Sequence, residues 1–204
     1  MLNWEKLADD KTIKKTIAAL KASGIETEAV NSSNEARKKV LQLIPEGSEV
    51  MTMTSVTLDT IGLTEEINKA NGKFKPVRDK LYVMDRNTQA QEMNRLNAAP
   101  KFAVGSVHAV TEDGHVLIAS NSGSQLPAYA YGALHVIWVV GAQKIVKNID
   151  DGIKRIYEYT FHLEDKRAKK AYGVGSGVNK ILIVNKEIQA NRIRLIFVKE
   201  KLGF

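Results

Sequence analysis

Cysteine is absent from this sequence of 204 residues. The chain by itself therefore cannot form a disulfide, supply a thiolate nucleophile, or hold a cysteine-ligated zinc ion or iron–sulfur cluster. No apolar stretch approaches the roughly 18 residues that a membrane-spanning helix needs. The N-terminal residues also lack the charged, apolar and small-residue regions of a signal peptide. These absences predict a cytoplasmic protein without a membrane partner.

Basic residues outnumber acidic ones, but they do not form a continuous basic segment. The sequence has 30 Lys and Arg against 23 Asp and Glu, a formal net charge of +7. The basic clusters fall in predicted helices, and no aromatic residues alternate with them as a nucleic-acid stacking surface would require. The composition therefore favours small anionic ligands and predicts no nucleic-acid partner.

Segments of strand and helix periodicity alternate along the chain. This order predicts an α/β fold with a mostly parallel sheet flanked by helices. Residues 102–110 and 115–119 flank the turn sequence Thr111-Glu112-Asp113-Gly114, which predicts an inserted antiparallel hairpin. Leu81–Met84 is predicted as a short buried strand. The uniform composition indicates a single domain over residues 1–204, with a helical segment at about residues 1–24.

Two loops between a strand and a helix carry small polar residues that suit ligand binding. Ser122, Gly123, Ser124 and Gln125 form one candidate set, and Thr54 and Ser55 form the other. Both loops follow the carboxyl end of a predicted strand, where ligands of open α/β sheets bind. The alternative interpretation is a pair of ordinary, well-capped strand-to-helix connections.

Glu112 and His115 are the candidate catalytic residues. With Asp113-Gly114 as a two-residue turn, Glu112 would lie opposite His115, on the face that carries His108 and Leu117. A carboxylate beside an imidazole can act as an acid/base pair, although the same pair is also typical of an exposed hairpin tip. The four histidines show no metal-ligand spacing, so no metal site and no cofactor is predicted.

Residues 173–177 alternate glycine with other residues, but they precede a predicted strand and do not open a helix. This is the wrong context for a dinucleotide-binding loop. The segment is interpreted as a flexible flap that suits anions, or as a simple connection.

Several segments, taken together and in this order, resemble the LUD-domain (lactate-utilisation) proteins. They are residues 51–63, 105–114, 122–127, 135–141, 144–146 and 198–204. The resemblance implies a NagB/RpiA/CoA-transferase-like fold, shared with ribose-phosphate isomerases and glucosamine-phosphate deaminases. Glu112-Asp113-Gly114 is similar to the Glu-Asn-Gly element of CoA transferases, in which the glutamate is the nucleophile, with Asp in the place of Asn.

The resemblance implies a non-redox component or accessory factor of lactate oxidation to pyruvate. Such a protein would bind a small anion or a partner, with iron–sulfur oxidoreductase proteins as its partners. Two alternatives remain at this point. One is a stand-alone enzyme acting on a phosphorylated, CoA-linked or folate substrate, and the other is a structural subunit without a ligand. A homo-oligomer is also open, with Tyr129, Tyr131 and the apolar residues 202–204 as candidate interface residues.

Overall fold

The structure is a computed structural model that describes residues 3–204, and within these residues it contains two β-sheets. All strand pairs of the larger sheet are parallel. Its spatial order is β1 (Glu26–Val30), β10 (Ile193–Val198), β7 (His135–Gly141), β4 (Phe102–Gly105), β2 (Glu49–Thr52) and β3 (Lys75–Pro76). The smaller sheet has the order β8 (Ile145–Val146), β5 (Ala109–Thr111), β6 (Val116–Ser120) and β9 (Lys180–Val184).

Helices cover the larger sheet and connect its strands. The α-helices in the described part of the chain are α1 (Asp10–Ala22), α2 (Ser33–Leu43), α3 (Val56–Thr60), α4 (Leu63–Ile67), α5 (Val77–Tyr82), α6 (Arg86–Ala98), α7 (Ile149–Arg155) and α8 (Phe161–Tyr172). Two π-helical turns, Ala128–Gly132 and Ile156–Thr160, accompany them. The predicted mostly parallel α/β sheet with an antiparallel hairpin is confirmed.

Strand β7 shows why the sheet is buried on both faces. Val136, Trp138 and Val140 pack into one core cluster, while Ile137 and Val139 pack into the cluster on the opposite face. A continuous apolar run without polar alternation is typical of a parallel strand covered by helices on both sides.

Side-chain caps set the starts of several helices. The side chains of Asp9, Ser32 and Ser55 accept hydrogen bonds from backbone N–H groups in the first turns of α1, α2 and α3. The prediction of Ser55 as an N-cap is therefore confirmed, and the cap fixes the chain where it leaves β2. Helix α1 lies inside the predicted segment 1–24, of which Met1 and Leu2 lie outside the described residues.

The prediction of a buried strand at Leu81–Met84 is wrong. These residues contain the end of α5, and Tyr82 and Val83 are 75% and 84% exposed. Pro76 stands immediately before the helix and has the extended backbone of an N-cap residue. A short apolar run does not by itself separate strand from helix, and here the helical conformation prevails.

The continuous strand predicted over residues 102–110 is broken. It divides into β4 and β5, which belong to different sheets. At the break, the carbonyls of Val107 and His108 accept hydrogen bonds from the side chains of Lys144 and Arg155. Two buried cations thus replace the strand partners that these carbonyls would otherwise need.

The predicted register of the hairpin is also wrong by one residue. Ala109 pairs with Leu117 and Val110 with Val116, so the turn contains three residues, 112–114. Because the side-chain period of a strand is two, this shift removes Glu112 from the position opposite His115.

No helix in residues 3–204 is long and apolar enough to span a membrane.

Candidate functional site

A cavity of about 340 Å³ opens beside the carboxyl ends of the central strands. Its wall includes residues that follow three neighbouring parallel strands: Thr54 and Ser55 after β2, Ser106 after β4, and Lys144 after β7. The connection after β6, helix α8 and residues 174–178 complete the wall. Cavities of this size hold small-molecule ligands in other proteins.

The structure brings both predicted ligand-binding loops to this one cavity. Thr54, Ser55, Ser122, Ser124 and Gln125 all line it. Gly123 does not line it. Its backbone is left-handed, with φ of +87°, and an added Cβ would lie 2.6 Å from the Lys180 side chain. Gly123 therefore shapes the loop and leaves contact with the cavity to its neighbours.

The predicted catalytic pair lies elsewhere. Glu112 is absent from the cavity wall and its Oε2 lies 2.8 Å from Nζ of Lys15. His115 is also outside the wall, and its Nε2 lies 3.7 Å from Oδ2 of Asp113. Glu112 and His115 thus have separate partners at the hairpin, and the structure does not bring the two side chains together as a pair.

Lys144 is the residue of this cavity that the sequence analysis missed. Its Nζ donates to the Val107 carbonyl at 3.1 Å and lies 3.2 Å from the hydroxyls of Thr57 and Ser106. The residue is only 2% exposed, and no carboxylate of the described residues forms an ion pair with it. Burial, together with the nearby charge of Arg155, lowers the pKa of Lys144 well below its usual value.

Arg155 is a second buried basic side chain without a carboxylate partner in the described chain. It is 0% exposed, and its Nη1 donates to the His108 carbonyl at 2.5 Å and to Thr160 Oγ1 at 3.0 Å. Its Nε and Nη2 atoms have no hydrogen-bond partner among residues 3–204. Burial lowers the pKa of the Arg155 guanidinium to about 10.

His108 lies near both of these basic side chains and lines the cavity. The backbone N–H of Ala119 donates to its Nδ1 at 3.1 Å, which assigns the ring hydrogen to Nε2. Burial, with the charges of Lys144 and Arg155, lowers the pKa of His108 to about 3. His108 is thus a neutral hydrogen-bond donor at physiological pH.

Both π-helical turns contribute to the cavity wall. Tyr129 comes from the first turn, and Ile156 and Thr160 come from the second. Single π-turns are rare and are found frequently at functional sites. The Tyr129 ring is fully buried and packs edge-on against Trp138, with the ring centres 5.4 Å apart.

Replacing Gly105 by alanine is expected to destabilise the protein by about 1–3 kcal/mol. An added Cβ would lie 1.8 Å from the Tyr129 hydroxyl oxygen, so the ring must move. Adding Tyr129→Phe removes the clashing oxygen, and the double variant should recover part of the loss. Urea unfolding measures both effects. A Gly105→Ala variant as stable as the wild type would contradict the placement of Tyr129.

A glycine-rich segment covers one side of the cavity. Helix α8 ends at Gly173 in a left-handed conformation, and residues 174–178 then line the cavity. The backbone N–H of Ser176 donates to Asp165 Oδ1 at 3.0 Å, which fixes the segment to α8. The predicted flap therefore lies at the cavity. Among the described residues, no group of three or more His, Asp or Glu side chains could hold a metal ion.

Comparison with known proteins identifies the family. The sequence profile of the LUD domain matches residues 13–198, which is nearly the whole chain. The chain belongs to the LUD domain family. No curated protein matches this LUD-domain sequence significantly.

A solved structure supports the fold of this LUD-domain chain. It is a DUF162 family protein from Deinococcus radiodurans, with a TM-score of 0.58 and 10% sequence identity, and the alignment covers 95% of this chain and 99% of that one. Two eIF2B subunits from Chaetomium thermophilum align less well. The beta subunit has a TM-score of 0.39 and 16% sequence identity, and the alignment covers 60% of this chain and 42% of that one. The delta subunit has a TM-score of 0.34 and 13% sequence identity, and the alignment covers 72% of this chain and 57% of that one.

Proposed function

We propose that this LUD-domain protein binds a small organic anion in the cavity and serves as a non-redox component of lactate utilisation. The observation that carries the proposal is the buried Lys144, which contacts the cavity and has no carboxylate partner in the described chain. A charge taken out of water is costly unless an opposite charge compensates it. A bound anion would supply the counter-charge that the described residues lack, and it would favour the protonated form of Lys144 that burial disfavours.

The surrounding side chains favour the same ligand class. Hydroxyls of Thr54, Ser55 and Ser106 and the Nε2–H of His108 are donors on the cavity wall. The buried guanidinium of Arg155, which donates to the His108 carbonyl, adds a positive field at this site. A carboxylate or phosphate accepts from such donors more strongly than a neutral group does.

The proposal assigns redox chemistry to partners. The sequence has no cysteine with which to hold an iron–sulfur cluster, so electrons from lactate would pass to a cluster-bearing oxidoreductase protein. Affinity purification of the tagged chain from its own cells tests this part. Recovery of iron–sulfur proteins supports it, and recovery of the chain alone contradicts it.

Anion binding is tested by thermal unfolding with lactate, pyruvate, phosphate and CoA. An anion at 100 times its dissociation constant should stabilise the protein by about 2.7 kcal/mol. For a chain of this length each kcal/mol raises Tm by about 2–4 °C. Lys144→Met should abolish the shift, while Lys147→Met, which removes an exposed lysine nearby, should retain it. An equal shift in Lys144→Met would remove the cavity lysine from the proposal.

Ser124→Glu gives a second test that leaves the core untouched. Ser124 is exposed and lies on the cavity wall, so the new carboxylate should repel an anion. We expect the same anion to bind at least about tenfold more weakly, which corresponds to about 1.4 kcal/mol. Isothermal titration calorimetry measures the affinity, and an unchanged value would place the anion elsewhere.

A further inference from the structure

The partners of Lys144 Nζ are all neutral oxygen atoms. The Val107 carbonyl can only accept a hydrogen bond, while the hydroxyls of Thr57 and Ser106 can either donate or accept. An unprotonated amine offers two N–H donors and one lone pair. These three contacts satisfy that form as well as they satisfy an ammonium ion. These contacts therefore do not favour the protonated form of Lys144 over the neutral amine.

The charge of Arg155 opposes protonation of Lys144. Its Nζ and the Nη1 of Arg155 donate to the consecutive carbonyls of Val107 and His108, so the two cationic groups share one short segment of backbone. Like charges at short range favour the neutral form of the group that can lose its proton, and lysine loses it far more readily than arginine. Burial acts in the same direction.

We propose that Lys144 is a nucleophilic amine that forms an imine with a 2-oxo acid bound in the cavity. This inference rests on the proposed anion binding, because the carboxylate places the carbonyl beside the amine. A buried, unprotonated lysine is the form of this side chain that reacts with carbonyl carbon atoms. The cavity supplies both requirements, donors for an anion and an amine that has no carboxylate partner in the part of the chain that the structure describes.

The step balances without any further reactant. The Nζ lone pair attacks the carbonyl carbon and a C–N bond forms. The carbonyl oxygen then leaves as water with the two hydrogens of the amine, and a C=N bond remains. The Nε2–H of His108 and the Ser106 hydroxyl line the same cavity and can donate to the departing oxygen. Protonation of the imine restores a positive charge that pairs with the carboxylate.

Borohydride trapping tests the proposal on the full chain. Pyruvate is the probe, and lactate, which has the carboxylate but no ketone, is the control. Intact mass spectrometry should show one reduced pyruvate adduct, and peptide mapping should place it on Lys144. Each unit of lowered pKa raises the unprotonated fraction about tenfold, so we expect at least about tenfold more adduct on Lys144 than on any exposed lysine.

Matched variants separate imine formation from anion binding. Lys144→Arg places a permanent cation at this position and removes the primary amine, so it should lose the adduct and still show thermal stabilisation by pyruvate. Lys147→Met should behave as the wild type does. Adduct spread evenly over surface lysines, or no adduct at all, would overturn the imine proposal even where stabilisation by pyruvate persists. If none of the tested anions stabilises the wild-type protein, that result would instead overturn the proposed function. Peptide mapping of the adduct on the wild-type protein tests imine formation at Lys144 even where a variant fails to fold.

Discussion

Replacing Arg192 by methionine is expected to destabilise the protein by about 3–5 kcal/mol, because it breaks a buried ion pair from one side. The guanidinium pairs with Glu187, and the two side chains are 3% and 9% exposed. It also donates to the carbonyls of Ala128, Tyr129 and Ala133 at 2.9–3.0 Å. The substitution would leave one carboxylate unpaired and three carbonyls without this donor.

The effect should extend to the cavity. Arg192 holds the π-helical turn that contains Tyr129, and Tyr129 lines the cavity. Urea unfolding gives the stability, and pyruvate titration reports the site. Arg194→Met is the matched control: Arg194 lies two residues further along, on β10, forms no ion pair in the described structure, and should change stability by no more than about 0.5 kcal/mol. Equal losses of stability in the two variants would show that the buried contacts of Arg192 contribute no more to stability than Arg194 does.

Acid is expected to destabilise the protein through His108. The pKa of this imidazole is lowered to about 3 in the folded state, whereas an unfolded histidine titrates near pH 6.5. Above pH 6.5 both states are neutral and His108 has no effect on stability. Between pH 6.5 and about 3 only the unfolded chain binds the proton, so the free energy of unfolding falls by about 1.4 kcal/mol per pH unit from this residue.

The comparison of variants isolates this contribution from that of the carboxylates. His108→Gln keeps an acceptor for the Ala119 N–H but cannot take up a proton, so its stability should fall less steeply below pH 6.5 than that of the wild type. His162→Gln, at an exposed histidine, should follow the wild-type curve. Urea unfolding at a series of pH values measures all three. Parallel curves for His108→Gln and the wild type would mean that His108 protonates freely in the folded state.

The sequence was informative wherever local chemistry decides structure. Ser55 follows a buried strand and precedes helical periodicity, and it is an N-cap in the structure. Thr54 follows β2 of the larger parallel sheet, at the carboxyl edge where ligands of such sheets bind. Ser122, Ser124 and Gln125 follow β6 of the smaller sheet and line the same cavity, so this part of the wall comes from the packing of the two sheets and not from neighbouring parallel strands.

The hairpin shows where local reasoning fails. Asp113-Gly114 is a strong signal for a two-residue turn, yet the turn has three residues and the register differs by one. Contacts from distant segments decide this. The Glu112 N–H donates to the Val146 carbonyl on β8, and its carboxylate reaches Lys15 on α1. Neither partner can be identified from residues near the turn.

The sequence alone determined the alternation of strands and helices, the absence of cysteine chemistry and the family to which the chain is similar. Only the tertiary structure identified Lys144 as a buried amine on the wall of the cavity. A lysine after an apolar strand has the same local pattern whether it is solvated or buried. Its partners, Thr57 and Val107, lie 87 and 37 residues away, and its neighbouring cation Arg155 acts through space. Burial and the lack of a counter-charge among the described residues are properties of the folded chain, and the proposed reactivity of this amine rests on them.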